Sequence, residues 1–535
     1  MRKTIKRLGA VLLAMAMAVS VLCTGALAAD TYSITVKSAV SGHTYESYQV
    51  FTGTVATGED KKKVLSDIQW GSGVNSNKLV EELQSTDNNP LGTDFSGKNT
   101  AADVAAVVAS YDSDKIKKFA TVVGKHLTTA TGTSGEFNST NQTYTINGLS
   151  AGYYLVKDKD NTVNAENHDA YTNYIMEVVQ NVEVTPKTSV PTVTKKIVEN
   201  GDKKNATTAK VGDVVNFELT GTLPSNYEDY TSYQYEFHDT LSKGLTYNGN
   251  VEVYVKNGDI ETKLASNSYT VTPANAVTET PTDATTIIVK FANLKTAKGE
   301  NDADVTIGKD SKIIVKYSAT LNENAVVGEE GNTNTVKLVY SNDPNGTSTG
   351  TTKDDKATVY TFQLNVTKVD GADNTKKLAG AKFKLYYATD NTKHYVKEVT
   401  SDNTIKSWTT TENEALELTT DDNGNITVKG LKEGTYYLEE TEAPDGYNKL
   451  TAPVKVEIEN DSTSIHELDF VKADGVDGTV GDDKAIGTIT IANNKGSTLP
   501  STGGMGTKLF YTIGGILMAG AAIVLVVRKR RSDAE

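Results

Sequence analysis

Cysteine is nearly absent from this chain of 535 residues, in which Cys23 is the only one. A single cysteine excludes an intramolecular disulfide bond, so no disulfide framework can stabilise the fold. Positive charge is also scarce, since 54 lysines and arginines stand against 68 acidic residues and give a formal net charge of −14 at pH 7. Such an acidic surface argues against nucleic acid and anionic lipid as partners.

The sequence also lacks the residue patterns of a catalytic or metal site. Its histidines are scattered without ligand spacing, at His43, His126, His168, His238, His394 and His466. There is no phosphate-binding glycine loop and no Ser/His/Asp set at a recognisable spacing. The acidic stretch at 474–483 could hold calcium, but it lacks the EF-hand pattern, and a solvated loop is the simpler interpretation. The sequence therefore predicts no metal, no cofactor and no enzyme activity.

The N-terminus has the three parts of a secretory signal peptide. Residues 1–28 begin with the basic stub MRKTIKR, continue as a short apolar run and end in Ala26-Leu27-Ala28. Leu22 is bulky where a lipidated cysteine needs a small neighbour, so we do not expect Cys23 to carry a lipid. Cleavage at the end of this segment would remove the only cysteine.

The C-terminus combines a short polar motif, an apolar segment and a basic tail. LPSTGG occupies residues 499–504, and an apolar segment follows from Leu509 to Val527. Its length is about the twenty residues that cross a bilayer. The basic residues at 528–531 would keep the tail in the cytoplasm by the positive-inside rule. The chain is thus predicted to be exported and transiently tethered, with residues 30–498 outside the membrane.

Most of the exported part has the pattern of short β-strands. Runs such as YSITV and YIMEVV alternate apolar and polar residues and are separated by glycine, asparagine and aspartate clusters. Residues 99–126 are the exception, because their alanine and valine spacing predicts helix. The fold is therefore predicted to be mainly β, with three tandem β-sandwiches, a helical insertion in the first and a C-terminal transmembrane helix. The predicted divisions are 1–28 (signal peptide), 30–187, 188–360 and 361–498 (sandwiches), and 499–535 (motif, span and tail).

The C-terminal motif resembles the cell-wall sorting signal of Gram-positive surface proteins, whose general form is LPxTG. The matching residues are Leu499, Pro500, Ser501, Thr502 and Gly503. The resemblance implies that a sortase cysteine attacks the carbonyl of Thr502, releases the chain from Gly503 onward and passes the acyl group to an amine. That amine could belong to peptidoglycan or to a lysine of another copy of this protein.

Residues 182–187, VEVTPK, resemble the pilin motif of Gram-positive pilins, in which a strand ends in V-x-V-Y-P-K. Thr185 departs from the motif, because tyrosine is usual at that position. Pro186 would end the strand and display Lys187 at a domain edge. The resemblance implies that a pilin-specific sortase joins Lys187 to Thr502 of the next subunit, which gives a head-to-tail polymer. A solvated linker lysine is the alternative interpretation.

Residues 436–447, YYLEETEAPDGY, are similar to the E-box of pilins, Y-x-L-x-E-T-x-A-P-x-G-Y. In that family the glutamate, Glu440 here, promotes an isopeptide bond between a lysine and an asparagine of the same domain. Strand alternation nominates the partners, because Lys368 and Asn493 each lie in phase with the apolar residues of their strands. Three such polar groups on core faces are costly unless they satisfy one another. A buried salt bridge beside a spare asparagine is the alternative.

Burial would supply the chemistry of such a bond. An apolar surrounding lowers the pKa of a lysine toward a neutral, nucleophilic amine and raises the pKa of a glutamate, so that the acid stays protonated. The acid can then polarise the asparagine carbonyl and shuttle protons while ammonia leaves. The product would tie two strands covalently and substitute for the missing disulfides.

The second sandwich contains a related set with an aspartate. Strand alternation in PTVTKKI favours Lys195 over Lys196 as the inward-facing lysine. Asp239 and Asn334 also lie in phase with apolar residues, and Asn342 is the alternative acceptor. The set resembles the Lys-Asp-Asn isopeptide sandwiches of collagen-adhesin-type and pilin middle domains. The resemblance implies a Lys195–Asn334 bond promoted by Asp239.

The first sandwich repeats part of the E-box. GLSAGYYLVKD at 148–158 resembles GLKEGTYYLEET at 430–441 with one residue inserted, so the first and third sandwiches are expected to share a fold. In this alignment Lys157 stands where Glu440 stands. Because the acid is missing there, we predict no isopeptide bond in the first sandwich.

The chain is identified by these motifs as a member of the Gram-positive sortase-assembled backbone pilins, with isopeptide-forming Ig-like sandwiches of the collagen-adhesin A and B types. The resemblance implies the shaft subunit of a cell-surface pilus that supports adhesion, a sortase substrate rather than an enzyme. The implied partners are pilin-specific and housekeeping sortases, other copies of the chain, minor tip and base pilins, peptidoglycan and a host or bacterial receptor. A monomeric wall-anchored adhesin that binds host matrix or other bacteria is the alternative function.

Overall fold

The chain is mainly β, as predicted, and its strands form six sheets in three consecutive regions. The computed structural model describes residues 30–38, 41–58, 61–86, 89–160, 162–163, 169–185, 189–344, 346–496 and 506–532. We call residues 30–185 the first region, 189–360 the middle region and 361–496 the C-terminal region. Each region consists of two sheets, and no sheet among the described residues combines strands of two regions.

The first region pairs a small sheet with a larger one. Its strands are β1 (Tyr32–Lys37), β2 (Tyr45–Thr57), β3 (Lys63–Trp70), β4 (Gly132–Thr133), β5 (Thr143–Leu149), β6 (Gly152–Asp158), β7 (Asn173–Val178) and β8 (Val182–Val184). The small sheet has the order β5-β1-β8, and the larger one has the order β3-β2-β6-β7 with β4 beside β2. Strand β8 runs parallel to β1.

Three helices cover one side of the first region: α1 (Ser76–Gln84), α2 (Ala101–Val108) and α3 (Ser113–Gly124). The range 99–126 predicted as helix thus contains two helices, and α1 lies outside it. Thr100 and Asp103 form a capping box at the start of α2, and the Asp112 side chain accepts backbone N–H groups at the start of α3. Because a capping residue is not itself helical, Asp112 separates the two helices.

The middle region contains the strands β9 (Val193–Glu199), β10 (Asp202–Lys204), β11 (Ala206–Thr208), β12 (Val214–Thr222), β13 (Tyr235–Leu241), β14 (Leu245–Tyr247), β15 (Glu252–Asn257), β16 (Ile260–Lys263), β17 (Thr270–Thr272), β18 (Thr285–Phe291), β19 (Lys312–Leu321), β20 (Asn332–Ser341), β21 (Thr349–Thr351) and β22 (Asp355–Tyr360). One sheet has the order β10-β9-β12-β19-β15-β16, and the facing sheet has the order β11-β22-β20-β13-β18-β17. The core between them is rich in tyrosine and phenylalanine.

The C-terminal region contains the strands β23 (Phe362–Asp370), β24 (Asp373–Lys377), β25 (Lys382–Thr389), β26 (Thr392–Val399), β27 (Ile405–Thr409), β28 (Leu418–Thr419), β29 (Asn425–Leu431), β30 (Gly434–Glu442), β31 (Val454–Asn460), β32 (Leu468–Ala473), β33 (Val476–Asp477), β34 (Thr479–Val480) and β35 (Ile486–Asn493). One sheet has the order β24-β23-β35-β34, and the other has the order β27-β26-β25-β30-β31-β32-β33. The first and last strands, β23 and β35, are parallel neighbours.

A long apolar helix, α4 (Gly506–Ser532), ends the described chain. Its segment Phe510–Lys529 has a mean hydropathy of 2.3 and is long enough to cross a bilayer. The predicted span at the C-terminus therefore coincides with a continuous helix.

The middle and C-terminal regions are joined by a loop of the middle region that enters the C-terminal core. Val211 is buried among the apolar side chains of the C-terminal region. Its N–H donates to the carbonyl of Gly430 at 3.0 Å, and the Trp408 indole N–H donates to its carbonyl at 2.8 Å. Gly430 has φ 89°, and a Cβ there would lie 2.6 Å from the Val211 side chain, so only glycine fits.

Candidate functional site

The C-terminal region brings Lys368, Glu440 and Asn493 together in its core. Lys368 on β23 donates its Nζ to Asn493 Oδ1 on the neighbouring strand β35. Asn493 Nδ2 donates to both oxygens of Glu440, at 2.9 and 3.1 Å. Lys368 Nζ lies 3.5 Å from Glu440 Oε1, and neither side chain of this pair is exposed. The amide therefore lies between an amine on its oxygen side and an acid on its nitrogen side.

The groups around this cluster hold it in place and shape its electrostatics. Burial lowers the pKa of Lys368 to about 8, although the charge and hydrogen bond of Glu440 act in the opposite direction. The backbone N–H of Leu450 donates to Glu440 Oε2 at 2.7 Å, and Asn493 Nδ2 donates to the Asn448 carbonyl at 3.0 Å. A lysine with this pKa is partly neutral at physiological pH, which makes it a nucleophile.

The middle region has a cluster with the same residue types and one addition. Lys195 on β9 donates its Nζ to the two oxygens of Asp239 on β13, at 2.7 and 2.9 Å. It also donates to the hydroxyl of Tyr317 on β19, at 3.0 Å. Tyr317 donates to Asp239 Oδ2, and Asn334 Nδ2 on β20 donates to the Tyr317 oxygen at 2.5 Å. The Asn334 Oδ1 atom is buried and has no hydrogen-bond partner among the described residues.

Burial dominates the electrostatics of the middle cluster. It lowers the pKa of Lys195 to about 8 against the opposing charge of Asp239. It also raises the pKa of Asp239, even though Lys195 and Tyr317 hydrogen-bond to that carboxyl. Both shifts favour the neutral forms of the two groups.

The other middle-region candidates lie away from this cluster. Lys196 is half-exposed and donates to Asn205. Asn342 lies at the contact with the first region, where its carbonyl accepts the Tyr171 N–H at 2.8 Å. Its Nδ2 donates to the Asp169 carbonyl at 3.5 Å. The contacts of the described residues thus join Asn334, and not Asn342, to the lysine and aspartate.

The site predicted from the sequence does not include Tyr317, although the same strand alternation indicates that this tyrosine faces inward. In KIIVKYSATL the tyrosine lies in phase with Ile313 and Val315, which are fully buried. A tyrosine at an inward-facing position needs a partner for its hydroxyl. A search for every inward-facing polar residue, and not only for lysine, asparagine and acids, would have included it.

The first-region repeat of the E-box is shifted by one residue relative to the sequence alignment. Tyr154 donates its hydroxyl to the Ser150 carbonyl at 2.9 Å, just as Tyr436 donates to the Lys432 carbonyl at 3.1 Å. These two tyrosines are therefore equivalent, and the residue four positions on from Tyr154 is an acid, Asp158. The alignment that placed Lys157 at the Glu440 position is wrong, because it inserted a residue within the strand.

Asp158 is buried beside a histidine and not beside a lysine. His43 places Nδ1 at 2.7 Å from Asp158 Oδ1 and Nε2 at 3.0 Å from Asp169 Oδ2. Burial alone would lower the pKa of His43, but hydrogen bonds and negative charge from the two aspartates raise it to about 9. Among the described residues, the buried lysines are Lys195 and Lys368, so the first-region cluster has an acid but no amine.

The polymerisation motifs fall mostly outside the described residues. Lys187 and the stretch Leu499 to Gly503 are not described, so their positions stay predictions. Strand β8 carries the preceding valines of VEVTPK at the edge of the small sheet.

For the acidic stretch 474–483, Asp474 accepts the Lys455 N–H at 2.8 Å, and within the described chain no cluster of three ligating residues could hold a metal ion.

Three family models match the chain in consecutive parts. A model of the Gram-positive pilin backbone subunit 2, Cna-B-like domain, matches residues 211–344. A prealbumin-like fold domain matches residues 362–470, and the LPXTG cell wall anchor motif matches residues 491–534. The first match contains Asp239 and Asn334 of the middle-region cluster. The second contains the E-box at 436–447, and the third contains the LPSTGG motif and the apolar segment after it.

Individual relatives agree with these models. The chain is 26% identical over 439 residues to the trypsin-resistant surface T6 protein of Streptococcus pyogenes, covering 69% of this chain and 73% of that protein. It is similar to the solved T6 backbone pilin of serotype M6 Streptococcus pyogenes, with a TM-score of 0.50, 19% identity and coverage of 88% and 99%. The major pilin SpaD from Corynebacterium diphtheriae matches with a TM-score of 0.44, 17% identity and coverage of 87% and 98%.

Proposed function

We propose that this chain is the repeating subunit of a covalent pilus shaft, because it belongs to the Gram-positive backbone pilins with an LPXTG cell wall anchor. In this assembly a pilin-specific sortase cleaves between Thr502 and Gly503 and joins the Thr502 carbonyl carbon to Lys187 Nζ of the next copy. Every copy has one donor and one acceptor, so the product is a head-to-tail polymer. A housekeeping sortase transfers the last subunit to peptidoglycan.

The observation that carries the internal cross-links is the presence of two buried clusters, each with an amine, an acid and an amide. In the C-terminal region the neutral Lys368 amine attacks Cγ of Asn493 and forms a new C–N bond. The bond from Cγ to Nδ2 then breaks and ammonia leaves. Glu440 lies 3.5 Å from Lys368 Nζ and contacts Nδ2 through both oxygens, so it is positioned to take the proton that Nζ loses and to deliver one to the leaving nitrogen.

Each cross-link would join strands that tension along a shaft would otherwise separate. In the C-terminal region the first strand, β23, would be tied to the last strand, β35. In the middle region, Lys195 and Asn334 lie on facing sheets, so their bond would tie the two halves of the sandwich together. A chain without disulfides would gain covalent reinforcement in this way.

The test of the polymer is a boiled SDS gel of cell-wall extracts from cells that express wild type, Lys187→Ala or Lys196→Ala. We expect a ladder of high-mass species in wild type and in the Lys196→Ala control, because Lys196 lies outside the motif. The Lys187→Ala variant should give a single band of monomer size, because the acceptor amine is missing.

The other outcomes assign different functions. A ladder that survives Lys187→Ala would keep the polymer but move the acceptor to another lysine. A single monomer-sized wall band in all three strains would contradict the proposed shaft. The remaining function would then be a wall-anchored adhesin that binds host matrix or other bacteria. Release of every form into the medium would remove the cell-wall anchor from the proposal.

A further inference from the structure

The two buried clusters differ in how the acid reaches the amide. In the C-terminal region Glu440 contacts Asn493 Nδ2 directly, at 2.9 Å. In the middle region the described hydrogen bonds of Asp239 go to Lys195 and Tyr317, and Asn334 Nδ2 donates to the Tyr317 hydroxyl. The tyrosine oxygen thus stands between the acid and the amide.

The position of the acid relative to the amide also differs. Glu440 and Asn493 lie on facing sheets, whereas Asp239 and Asn334 lie on neighbouring strands of one sheet. The Tyr317 hydroxyl, which comes from the facing sheet, bridges them. In the C-terminal cluster, Lys368 Nζ lies 5.5 Å from the centre of the Phe383 ring, which has no hydroxyl.

The ring of Tyr317 is held firmly in this position. It stacks on Phe217 with ring centroids 5.5 Å apart and meets the edge of Tyr247 at 6.0 Å. Its hydroxyl contacts both atoms whose bonds change in the proposed reaction, Lys195 Nζ at 3.0 Å and Asn334 Nδ2 at 2.5 Å. A group that touches the nucleophile and the leaving nitrogen together can exchange protons with both.

We propose that Tyr317 is a catalytic residue of the middle-region cross-link, in which its hydroxyl carries a proton from Lys195 Nζ to Asn334 Nδ2. This assignment rests on the isopeptide bond proposed above. It gives the aspartate-type cluster a proton path that the glutamate-type cluster does not need.

The proposed reaction conserves every atom and proton. The Lys195 ammonium first gives one proton to Asp239, which leaves a neutral amine beside a carboxylic acid. The acid then donates its hydrogen bond to the Tyr317 oxygen, so the phenol O–H is free to turn toward Asn334 Nδ2.

Attack of Nζ on Cγ forms the new C–N bond and a tetrahedral intermediate. Tyr317 gives its proton to Nδ2 and takes one from Nζ in the same exchange. The Cγ–Nδ2 bond breaks, ammonia leaves with the proton that Asp239 had held, and the carboxylate is regenerated. The products are one secondary amide and one ammonium ion.

The test compares the mature full-length wild type with Tyr317→Phe and Tyr247→Phe by intact-mass measurement and by mapping the linked tryptic peptides. Tyr247→Phe is the matched control, because Tyr247 is buried in the same core and its ring packs against that of Tyr317. We expect the Lys195–Asn334 link in wild type and in Tyr247→Phe. In Tyr317→Phe it should form about 10²-fold more slowly or not at all, while the Lys368–Asn493 link stays complete.

The comparison of Tyr317→Phe with Tyr247→Phe separates proton transfer from packing, because each variant removes one hydroxyl from the same core. Circular dichroism and thermal melting establish that each variant is folded before its mass is compared.

The outcomes that overturn the assignment are distinct. A Tyr317→Phe protein that links as fast as wild type overturns the proton path and leaves the isopeptide bond intact. Equal slowing in Tyr247→Phe shows a packing effect and also overturns it. A wild type without the Lys195–Asn334 link overturns the isopeptide proposal for this region and the role of Tyr317 with it.

Discussion

At the scale of single residues, this chain buries a cationic side chain beside an acid in each of its three regions. The middle and C-terminal regions enclose a lysine with an acid and an asparagine. The first region encloses His43 between Asp158 and Asp169. Because an isolated buried charge is costly, each set persists only through mutual pairing. An imidazole ring hydrogen-bonded at both nitrogens cannot form an isopeptide bond as a lysine amine can. The strength of the first-region contact therefore depends on the protonation of His43.

The titration of His43 gives a prediction about pH. The two aspartates raise the pKa of His43 to about 9, from about 6.5 in an unfolded chain. A raised pKa in the folded state means that the stabilisation is fully present below pH 6.5 and is lost as pH rises through 9. We expect the free energy of opening of strands β2 and β6, which the His43–Asp158 contact joins at one end, to fall by about 3 kcal/mol across this window when measured by hydrogen exchange.

The control for this prediction is a second histidine that also contacts a carboxylate. His238 lies 2.8 Å from Glu236 but is partly exposed. His43→Gln should lower the stability of the first region and remove its dependence on pH between 6.5 and 9, whereas His238→Gln should leave that dependence unchanged. Identical pH profiles for His43→Gln and wild type would contradict the assignment.

At the scale of strands, the two-residue period of the side chains made most of the candidate site predictable. Alternation predicted inward positions for Lys195, Asp239 and Asn334 in one region and for Lys368, Glu440 and Asn493 in the other. The structure buries all six. A strand has only two faces, so an apolar neighbour two positions away fixes the direction of a polar side chain. The covalent chemistry of these groups stays a prediction.

The residues that sequence reasoning missed lie where this period does not apply. His43 and Asp169 are in loops outside the strands, and only the folded chain brings them to Asp158. The E-box repeat in the first region was misaligned, because tyrosines are adjacent in both copies and the hydrogen bond to the fourth preceding carbonyl is visible only in the structure. Spacing within one strand cannot supply such contacts.

The proposed link between β23 and β35 has a measurable effect on mass and stability. Wild-type mature protein should be lighter than its sequence by two ammonias, and Asn493→Ala by one. Lys368 and Asn493 are 125 residues apart in sequence. If the closed loop acts like a disulfide loop of that size, its loss costs about 4 to 5 kcal/mol of unfolding free energy.

The matched control is Asn494→Ala, because Asn494 is the next residue and is exposed. It should keep both the mass deficit and the melting temperature of the C-terminal region. A wild-type deficit of three ammonias would contradict the absence of a cross-link in the first region. A deficit unchanged in Asn493→Ala would show that another residue is the acceptor.

At the scale of the whole molecule, the contacts between regions join a loop of the middle region to the core of the C-terminal region. The middle region inserts Val211 into the C-terminal core, and neighbouring residues add polar contacts. Lys432 Nζ lies 3.4 Å from Asp213 Oδ2, and Lys210 Nζ lies 4.6 Å from the centre of the Tyr387 ring. These contacts join a loop of the middle region to residues of the C-terminal region, so no alternation within a strand predicts them.

The contact between the first and middle regions is built differently. It joins the loop at Asp169 and Tyr171 to Asn342 through two hydrogen bonds, each accepted by a backbone carbonyl. The predicted alternative acceptor of the middle region thus takes part in the contact between two regions. Asp169 also binds His43, so the titration of that histidine bears on this contact.

The joint at Val211 predicts that the middle and C-terminal regions unfold together. Val211→Asp would place an unpaired carboxylate among apolar side chains, close to Asp213, at a cost of several kcal/mol, so the loop should leave the C-terminal core. Val214→Asp is the matched control, because Val214 lies three residues further on and is 59% exposed. Scanning calorimetry of the full mature protein should show one shared transition for the two regions in wild type and Val214→Asp, and two separate transitions in Val211→Asp.

A single transition in Val211→Asp would mean that the cooperativity comes from elsewhere, whereas two transitions already in wild type would mean that the joint does not couple the regions. Because proteases cleave locally opened segments, loss of coupling here should make the C-terminal region of Val211→Asp open to proteases under conditions in which Val214→Asp stays protected.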